Sequence, residues 1–384
     1  MTGKPRIALD VMGGDRGPED MVAGAVLAVD QEDVIVTLLG DEARIKAALI
    51  ACRPSAACAD RLNVVPTTQV VGMDESPFEA IRRKKYSSIV QAFILHQEGK
   101  VDAVVSAGNS GATMAAGLKY LGRLEHITRP GIANVFPTLK GPVVMMDVGA
   151  NVDCRPRHLF EFGVMAAAFA RVFCDVERPR IGLLSIGEEG GKGNLLVKKS
   201  HQFFLQSSLN YIGNVEGREI FQGDVDVIVC DGFVGNVCLK LSEGLAEAMI
   251  AMLGDEIKKR FTAKIGYLLS REAFAALRRR VDYAEYGGAP LLGLRGIGVV
   301  CHGRSSDLAI KNAIRVAGDM VRNRVNDHIA TLLAADGFLV NNVDDAASAI
   351  NNADSAASSA NSGGVNHIGG TQKAGNEAKS EAAR

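Results

Sequence analysis

One lysine stands among four glycines in the run SIGEEGGKGN, residues 185–194, between an apolar stretch (181–184) and a helix-like one (195–207). An ammonium group on a glycine-rich backbone at a helix start suits an anion. Free N–H groups and the positive end of the helix dipole point at the same place. The run is not a nucleotide-binding phosphate loop, because Gly191-Lys192 is followed by Gly193 where Ser or Thr should meet Mg²⁺. Lys192 is therefore a candidate anion contact. The plainer alternative is a solvated loop lysine near Glu188 and Glu189.

Four asparagines extend the theme. Asn109, Asn151, Asn194 and Asn236 each lie in a glycine-rich loop that follows an apolar run. An Asn side chain can cap a helix or tolerate a left-handed backbone, which explains any one of them. Together they also offer donors for a developing oxyanion. His302 and Asp307 bracket the loop HGRSSD. A histidine there could act as acid or base, or make a structural hydrogen bond. Arg82-Arg83-Lys84-Lys85 reads as a solvated helix end whose cations suit the dipole, with a substrate role as the alternative. No Ser or Cys sits in a G-x-S-x-G elbow, so an acyl-enzyme is not favoured.

Buried strands must position these residues. Five apolar runs end in glycine-rich loops: 101–105 into SAGNSGA, 143–146 into DVGAN, 181–184 into SIGEEGGKGN, 227–230 into DGFVGN and 299–301 into HGRSSD. Four of the five feed a helix-like segment at once. In open α/β sheets ligands bind outside the carboxyl ends of strands, and glycine lets backbone approach them closely. The pattern predicts one crevice lined by backbone donors and suited to phosphate. Further strands are expected at 6–12 and 34–40, and helices at 18–29, 88–98, 159–172, 195–207 and 233–253. Ser76-Pro77-Phe78-Glu79 reads as a capping box. The alternation implies a largely parallel sheet covered by helices.

Two regions break the alternation. Residues 257–281 carry eight Lys or Arg against one acid, Glu272. Ile257, Phe261, Ile265, Leu268 and Leu269 share one helical face, and Phe274, Leu277 and Val281 another, with Ser270 as a cap. A projecting amphipathic helical hairpin is expected at about 255–285. Residues 341–384 have no aromatic residue and four large aliphatics, too few to offset the entropy of ordering, and read as a disordered tail.

Composition sets the class. At 384 residues the chain could form one large α/β domain or two smaller ones, and 47% hydrophobic residues supply the core. A net charge of −1 argues against a general nucleic-acid binder. Seven cysteines without a C-x-x-C pair indicate neither zinc nor disulfides and fit a reducing cytoplasm. No signal-peptide pattern precedes the first strand, and no apolar run reaches the roughly 18 residues of a spanning helix.

The motifs in order are DVMGGDRGP (10–18), ESPFEAIRRKK (75–85), SAGNSGA, DVGAN, EEGGKGN, YIGNVEGR (211–218), DGFVGN, GGAPLLGL (287–294) and HGRSSD followed by KNAI (311–314). Over about residues 5–330 they closely resemble the bacterial phosphate acyltransferase family of phospholipid synthesis (PlsX family). One departure is visible: Arg16-Gly17 stand where the family usually has His-Ala.

The resemblance implies transfer of a long-chain fatty acyl group from acyl carrier protein to inorganic phosphate. The acyl phosphate then serves a membrane glycerol-3-phosphate acyltransferase. It implies a three-layer α/β/α sandwich of the isopropylmalate-dehydrogenase type over residues 1–335, a homodimer, no cofactor and no metal. It also implies a cytoplasmic protein in peripheral contact with an anionic membrane. Carried onto this chain, Lys192 and Asn236 would be catalytic. Asn109, Ser110, Asn151, Gly193, Asn194, Asp231, Gly235, Arg83, Lys84 and His302 would line the phosphate and thioester site. The hairpin's Ile265, Leu268, Leu269, Arg278, Arg279 and Arg280 would dock on membrane or carrier protein. Competing readings are a phosphate acetyl- or butyryltransferase using acyl-CoA, and a metabolite-binding or membrane-scaffold protein without turnover. A dehydrogenase is disfavoured by the missing dinucleotide fingerprint.

Overall fold

The computed structural model describes residues 3–281 and 285–336. Strands are β1 (Arg6–Asp10), β2 (Ile35–Gly40), β3 (Leu62–Pro66), β4 (Ala103–Ser106), β5 (Gly131–Pro137), β6 (Pro142–Met146), β7 (Ile181–Ser185), β8 (Tyr211–Glu216), β9 (Val227–Val229), β10 (Ala289–Leu292) and β11 (Ile297–Val300). Helices are α1 (Pro18–Gln31), α2 (Glu42–Cys52), α3 (Ala56–Ala59), α4 (Pro77–Arg83), α5 (Ser88–Gln97), α6 (Ser110–Tyr120), α7 (Pro156–Phe173), α8 (Leu195–Gln206), α9 (Gly232–Lys259), α10 (Phe261–Leu269), α11 (Arg271–Val281), α12 (Asp307–Arg322) and α13 (Val325–Ala335).

The strands form one sheet in the order β3-β2-β1-β4-β11-β10-β5-β6-β9-β7-β8. From β3 to β11 neighbours are parallel, as they are from β6 to β8. Between them β10 pairs antiparallel with β11 and with β5, and β5 pairs antiparallel with β6. The two parallel halves therefore run in opposite senses. The single crevice expected from the sequence divides accordingly. The loops after β4 and β11 form one group with the loop after β1, and those after β6, β9 and β7 form another. A strand's apolar pattern does not encode its direction, so this reversal is absent from the sequence signal.

Central strands are buried on both faces, as in Ile7, Leu9, Val104, Met145 and Val227 to Val229. That is why they read as unbroken apolar runs. α7 is buried from His158 to Ala170. It packs against α8 and α13, so it has no wide polar face. Its Gly163 admits the Phe204 ring: a β-carbon there would lie 2.5 Å from it.

Several boundaries shift for local reasons. β1 stops at Asp10, whose carboxylate accepts Met12 N–H (3.2 Å) and the Ser106 hydroxyl (2.8 Å) and so turns the chain early. The Ser76–Glu79 capping box does not form, because the Ser76 side chain makes no cap bond and Glu79 pairs with Arg83 at 2.9 Å. α9 runs on to Lys259, past the expected end at 253. Ser270 ends α10, and its carbonyl accepts Phe274 N–H (3.2 Å). The tail expected at 341–384 lies outside the described residues. No described helix is long and apolar enough to cross a membrane.

Candidate active site

Asp147, at the carboxyl end of β6, organises the first loop group. Its Oδ1 accepts from Ile132 N (3.1 Å), Gly149 N (3.2 Å) and Ala150 N (3.1 Å). Its Oδ2 accepts from Asn151 N (2.7 Å) and Asn151 Nδ2 (2.9 Å). Burial pushes this carboxyl above its usual range, and those donors oppose the shift. Asn151 is thus committed to the loop, with a further bond to the Pro130 carbonyl (2.9 Å). Gly232 N donates to the Asn151 carbonyl (2.7 Å), which presses the start of α9 onto the same loop.

Asp231 caps α9, accepting from Phe233 N and Val234 N at 3.0 Å each. Asn236 follows, half-buried, with Oδ1 3.6 Å from where a β-carbon on Gly149 would stand. Among the described residues its amide makes no hydrogen bond. In the loop after the neighbouring strand β7, Asn194 caps α8 by accepting Val197 N (2.9 Å). Gly193 holds φ +94° beneath Val197, a backbone that favours glycine. Lys192 N–H bonds to Glu189 O (2.9 Å), and Asn214 Nδ2 pins that same carbonyl (2.9 Å). The Lys192 side chain is exposed and forms no ion pair among the described residues, while Glu188 is taken by Arg218 (3.4 Å). The Ser185 hydroxyl is buried beside Gly193 without a partner. β7 and β9 are paired strands. An ammonium and an amide, both uncommitted, therefore end adjacent strands of one sheet edge.

The second group surrounds the ends of β1, β4 and β11, where α1, α6 and α12 begin. Asp15 N donates to Gly303 O (2.8 Å), and Gly13 and Gly108 are in such close approach that a β-carbon on Gly13 would lie 2.7 Å from Gly108 N. Asn109 caps α6 through Ala112 N (3.0 Å) and donates to Met73 O (2.9 Å) and Glu75 O (3.1 Å). Ser110 is exposed in the first turn of α6. Lys84 pairs with Glu75 and bonds to Val70 O (2.7 Å), so it braces the segment before α4, as the Arg83–Glu79 pair does its surface. His302 is exposed, and its Nδ1 accepts Arg304 N (3.2 Å). Glu243 of α9 faces this loop. Burial raises its carboxyl, and His302, Lys240 and Arg304 oppose that. α9 spans both groups: from Asn236 to Glu243 is seven residues, about 10 Å at 1.5 Å per residue.

The sequence profile described as fatty acid synthesis protein matches residues 5–328. The chain belongs to that family. It is 53% identical over 330 residues to the phosphate acyltransferase of Syntrophotalea carbinolica, covering 86% of this chain and 94% of that one. It is 52% identical over 329 residues to the phosphate acyltransferase of Geotalea daltonii, covering 85% and 94%. Among solved structures, a phosphotransacetylase from Streptococcus pyogenes superposes with a TM-score of 0.57 at 15% identity, over 83% of this chain and 94% of that one. That likeness shows the shared α/β fold.

Within this family member, the sequence reading had no signal for Glu243, which sits on a helix outside every motif. Arg304 was within reach, inside HGRSSD. Arg16, the family departure, pairs with Asp20 one helical turn on. The cysteines beside both loop groups are poor nucleophiles. Burial pushes the Cys154 and Cys301 thiols up to about 12 and raises Cys230 well above its ordinary value. A thiol rather than a thiolate stands at each position. No group of three His, Cys, Asp or Glu among the described residues could hold a metal ion.

Proposed function

We propose that this protein moves a long-chain acyl group from acyl carrier protein to inorganic phosphate. The reading is supported by identity above half with phosphate acyltransferases across the length of both loop groups. The carrying observation is that Lys192, in the loop after β7, and Asn236, at the start of α9 after the paired strand β9, stand uncommitted while their neighbours are spent on structure. Phosphate is the nucleophile, so no side chain need be acylated. Lys192 and nearby N–H groups hold the dianion, and Asn236 donates to the oxyanion as a phosphate oxygen bonds to the thioester carbon. Collapse breaks the C–S bond, expels the carrier's thiolate and leaves acyl phosphate. Holding two reactants in register can contribute about 7–11 kcal/mol in well-oriented systems.

Two exposed surfaces support the partners of this reading. Val237, Leu241, Leu245, Met249 and Met252 form an exposed apolar seam along α9. A second copy of the chain covers it in this reading. α10 and α11 expose Phe261, Ile265, Leu268 and Leu269 beside Arg278 and Arg279. That combination fits peripheral contact with an anionic membrane from the cytoplasm, where a membrane glycerol-3-phosphate acyltransferase would consume the product.

The test is phosphate-dependent thiol release from hexadecanoyl carrier protein, beside hexadecanoyl-CoA and acetyl-CoA. Preference for the carrier-protein thioester supports the reading. Preference for acetyl-CoA would give the acetyltransferase alternative, and no turnover with any donor would leave a binding protein.

A further inference from the structure

α9 turns a second stripe toward the sheet: Leu239, Ser242, Ala246 and Ile250 recur at helical spacing. Between this stripe and the β5–β6 hairpin lies a cavity of about 840 Å³. Phe136, Phe221 and Leu277 complete walls that are mostly carbon. Charged groups line it in three places, one of them the exposed Glu247 midway along α9. Arg16, Arg304 and Glu243 stand where α9 passes the loops after β1 and β11. Arg278 and Arg280 stand at the hairpin side, where Arg280 Nη2 donates to Thr138 O (2.7 Å) and Leu139 O (2.8 Å), and Tyr286 Oη donates to Arg280 O (2.9 Å). These bonds tie α11 to the β5–β6 turn at that end.

Small-molecule sites have volumes of about 300–1,000 Å³ with a few placed polar groups. A long apolar chain that follows α9 matches this one. The apolar part would run from Leu239 to Ile250. We propose that the cavity receives the long acyl chain of the donor, with its carbonyl end leaving past Leu239 toward Asn236 and its methyl end toward Ile250 and Leu277. This rests on the acyl-transfer reading above and adds where the chain lies. Leu239 follows Asn236 by three residues, about 4.5 Å along α9, so the carbonyl end comes out beside the amide.

The test fills the middle of the cavity. Each buried methylene strengthens binding about fourfold, so excluding two or more costs a long chain roughly tenfold. Ala246→Phe should lower the ratio of kcat/KM for hexadecanoyl over octanoyl carrier protein by about tenfold. Ala251→Trp, farther along the same wall, does the same if the first variant melts early. An unchanged ratio in a variant that melts like wild type overturns the proposal. If wild type shows no phosphate-dependent turnover, the acyl-transfer reading fails by itself. The cavity is then judged by fluorescence titration with cis-parinaric acid, which Ala246→Phe should weaken roughly tenfold. Equal binding by wild type and variant overturns the cavity assignment.

Discussion

The carbonyl oxygen of Asp147 occupies the space that a β-carbon on Gly235 would need: the two would be 1.9 Å apart. Cys230 Sγ lies 3.0 Å from the same point. The first turn of α9 is therefore seated on the β6 loop by the absence of a side chain, and Asn236 inherits its position from that contact. Gly235 belongs to the site as a spacer; its backbone is what the neighbouring loop packs against.

Gly235→Ala should push α9 off the loop. Overpacking of this kind typically costs about 1–3 kcal/mol, and turnover should fall further than the melt alone explains because Asn236 moves. Gly244 in the same helix is the control, since nothing lies within 4 Å of an added β-carbon there. Gly244→Ala should gain up to about 1 kcal/mol from helix propensity. Thermal melts and turnover of both variants decide it. A wild-type melt for Gly235→Ala would contradict the packing argument.

Lys192→Ala should leave the melt unchanged, because the side chain is exposed and holds no ion pair among the described residues. Turnover should drop about 10²–10³, the usual cost of one positioned donor, and the KM for phosphate should rise. Asn236→Ala should lower kcat comparably with a smaller effect on phosphate KM. Near wild-type turnover in well-folded Lys192→Ala would move the anion to the β1, β4 and β11 loops, beside Arg16 and Arg304.

Much of this was legible before the fold. Glycine clusters placed the loops, and the helices expected to begin at 18, 88, 195 and 233 begin within a residue of those positions. The direction of β10 and β5 was not legible, because an apolar strand reads the same either way, and it splits five loops into two groups. Nor was the division of labour among the asparagines. Asn109 and Asn194 cap helices, and Asn151 braces Asp147. Only tertiary partners distinguish these from Asn236. Glu243 faces His302 and Arg304 through a contact about 60 residues distant in sequence, which no local pattern records.

Acid should weaken both halves by the same device. Asp102 accepts Arg6 N (2.8 Å) and its guanidinium (2.7 Å), and Asp226 accepts Arg180 N (2.7 Å) and its guanidinium (2.9 Å). Burial alone would raise both carboxyls, but the arginine bonds outweigh it and each sits below its ordinary value. A carboxyl lowered in the folded state contributes stability above its unfolded pKa, about 3.9. That contribution is lost as pH falls through the folded value. Asp226→Asn should therefore lower the urea midpoint at pH 7, by the equivalent of about 0.5–1 kcal/mol for a partly exposed pair. The gap between variant and wild type should narrow toward pH 3. A gap that widens in acid would reverse the assignment.

The outer seam of α9 should hold a second protomer. Leu241→Glu with Leu245→Glu places charge in the middle of it, and light scattering should then report a monomer. The same mass for variant and wild type would remove the seam from the interface.

The basic end of α11 divides into separate tasks. Arg280 is tied to the Thr138 and Leu139 carbonyls, whereas Arg279 has no such partner among the described residues. Arg280→Glu should therefore loosen the hairpin from the β5–β6 turn and lower the melt. Arg279→Glu should leave the melt alone and weaken binding to phosphatidylglycerol vesicles, by about 1 kcal/mol for removal of a cation near an anionic surface and more for reversal. Leu268→Glu with Leu269→Glu should weaken vesicle binding at high salt as well as low, since it removes apolar contact and not only charge. Vesicle cosedimentation at two salt concentrations separates these outcomes. Binding that survives all three changes would show that the hairpin's exposed leucines serve another surface.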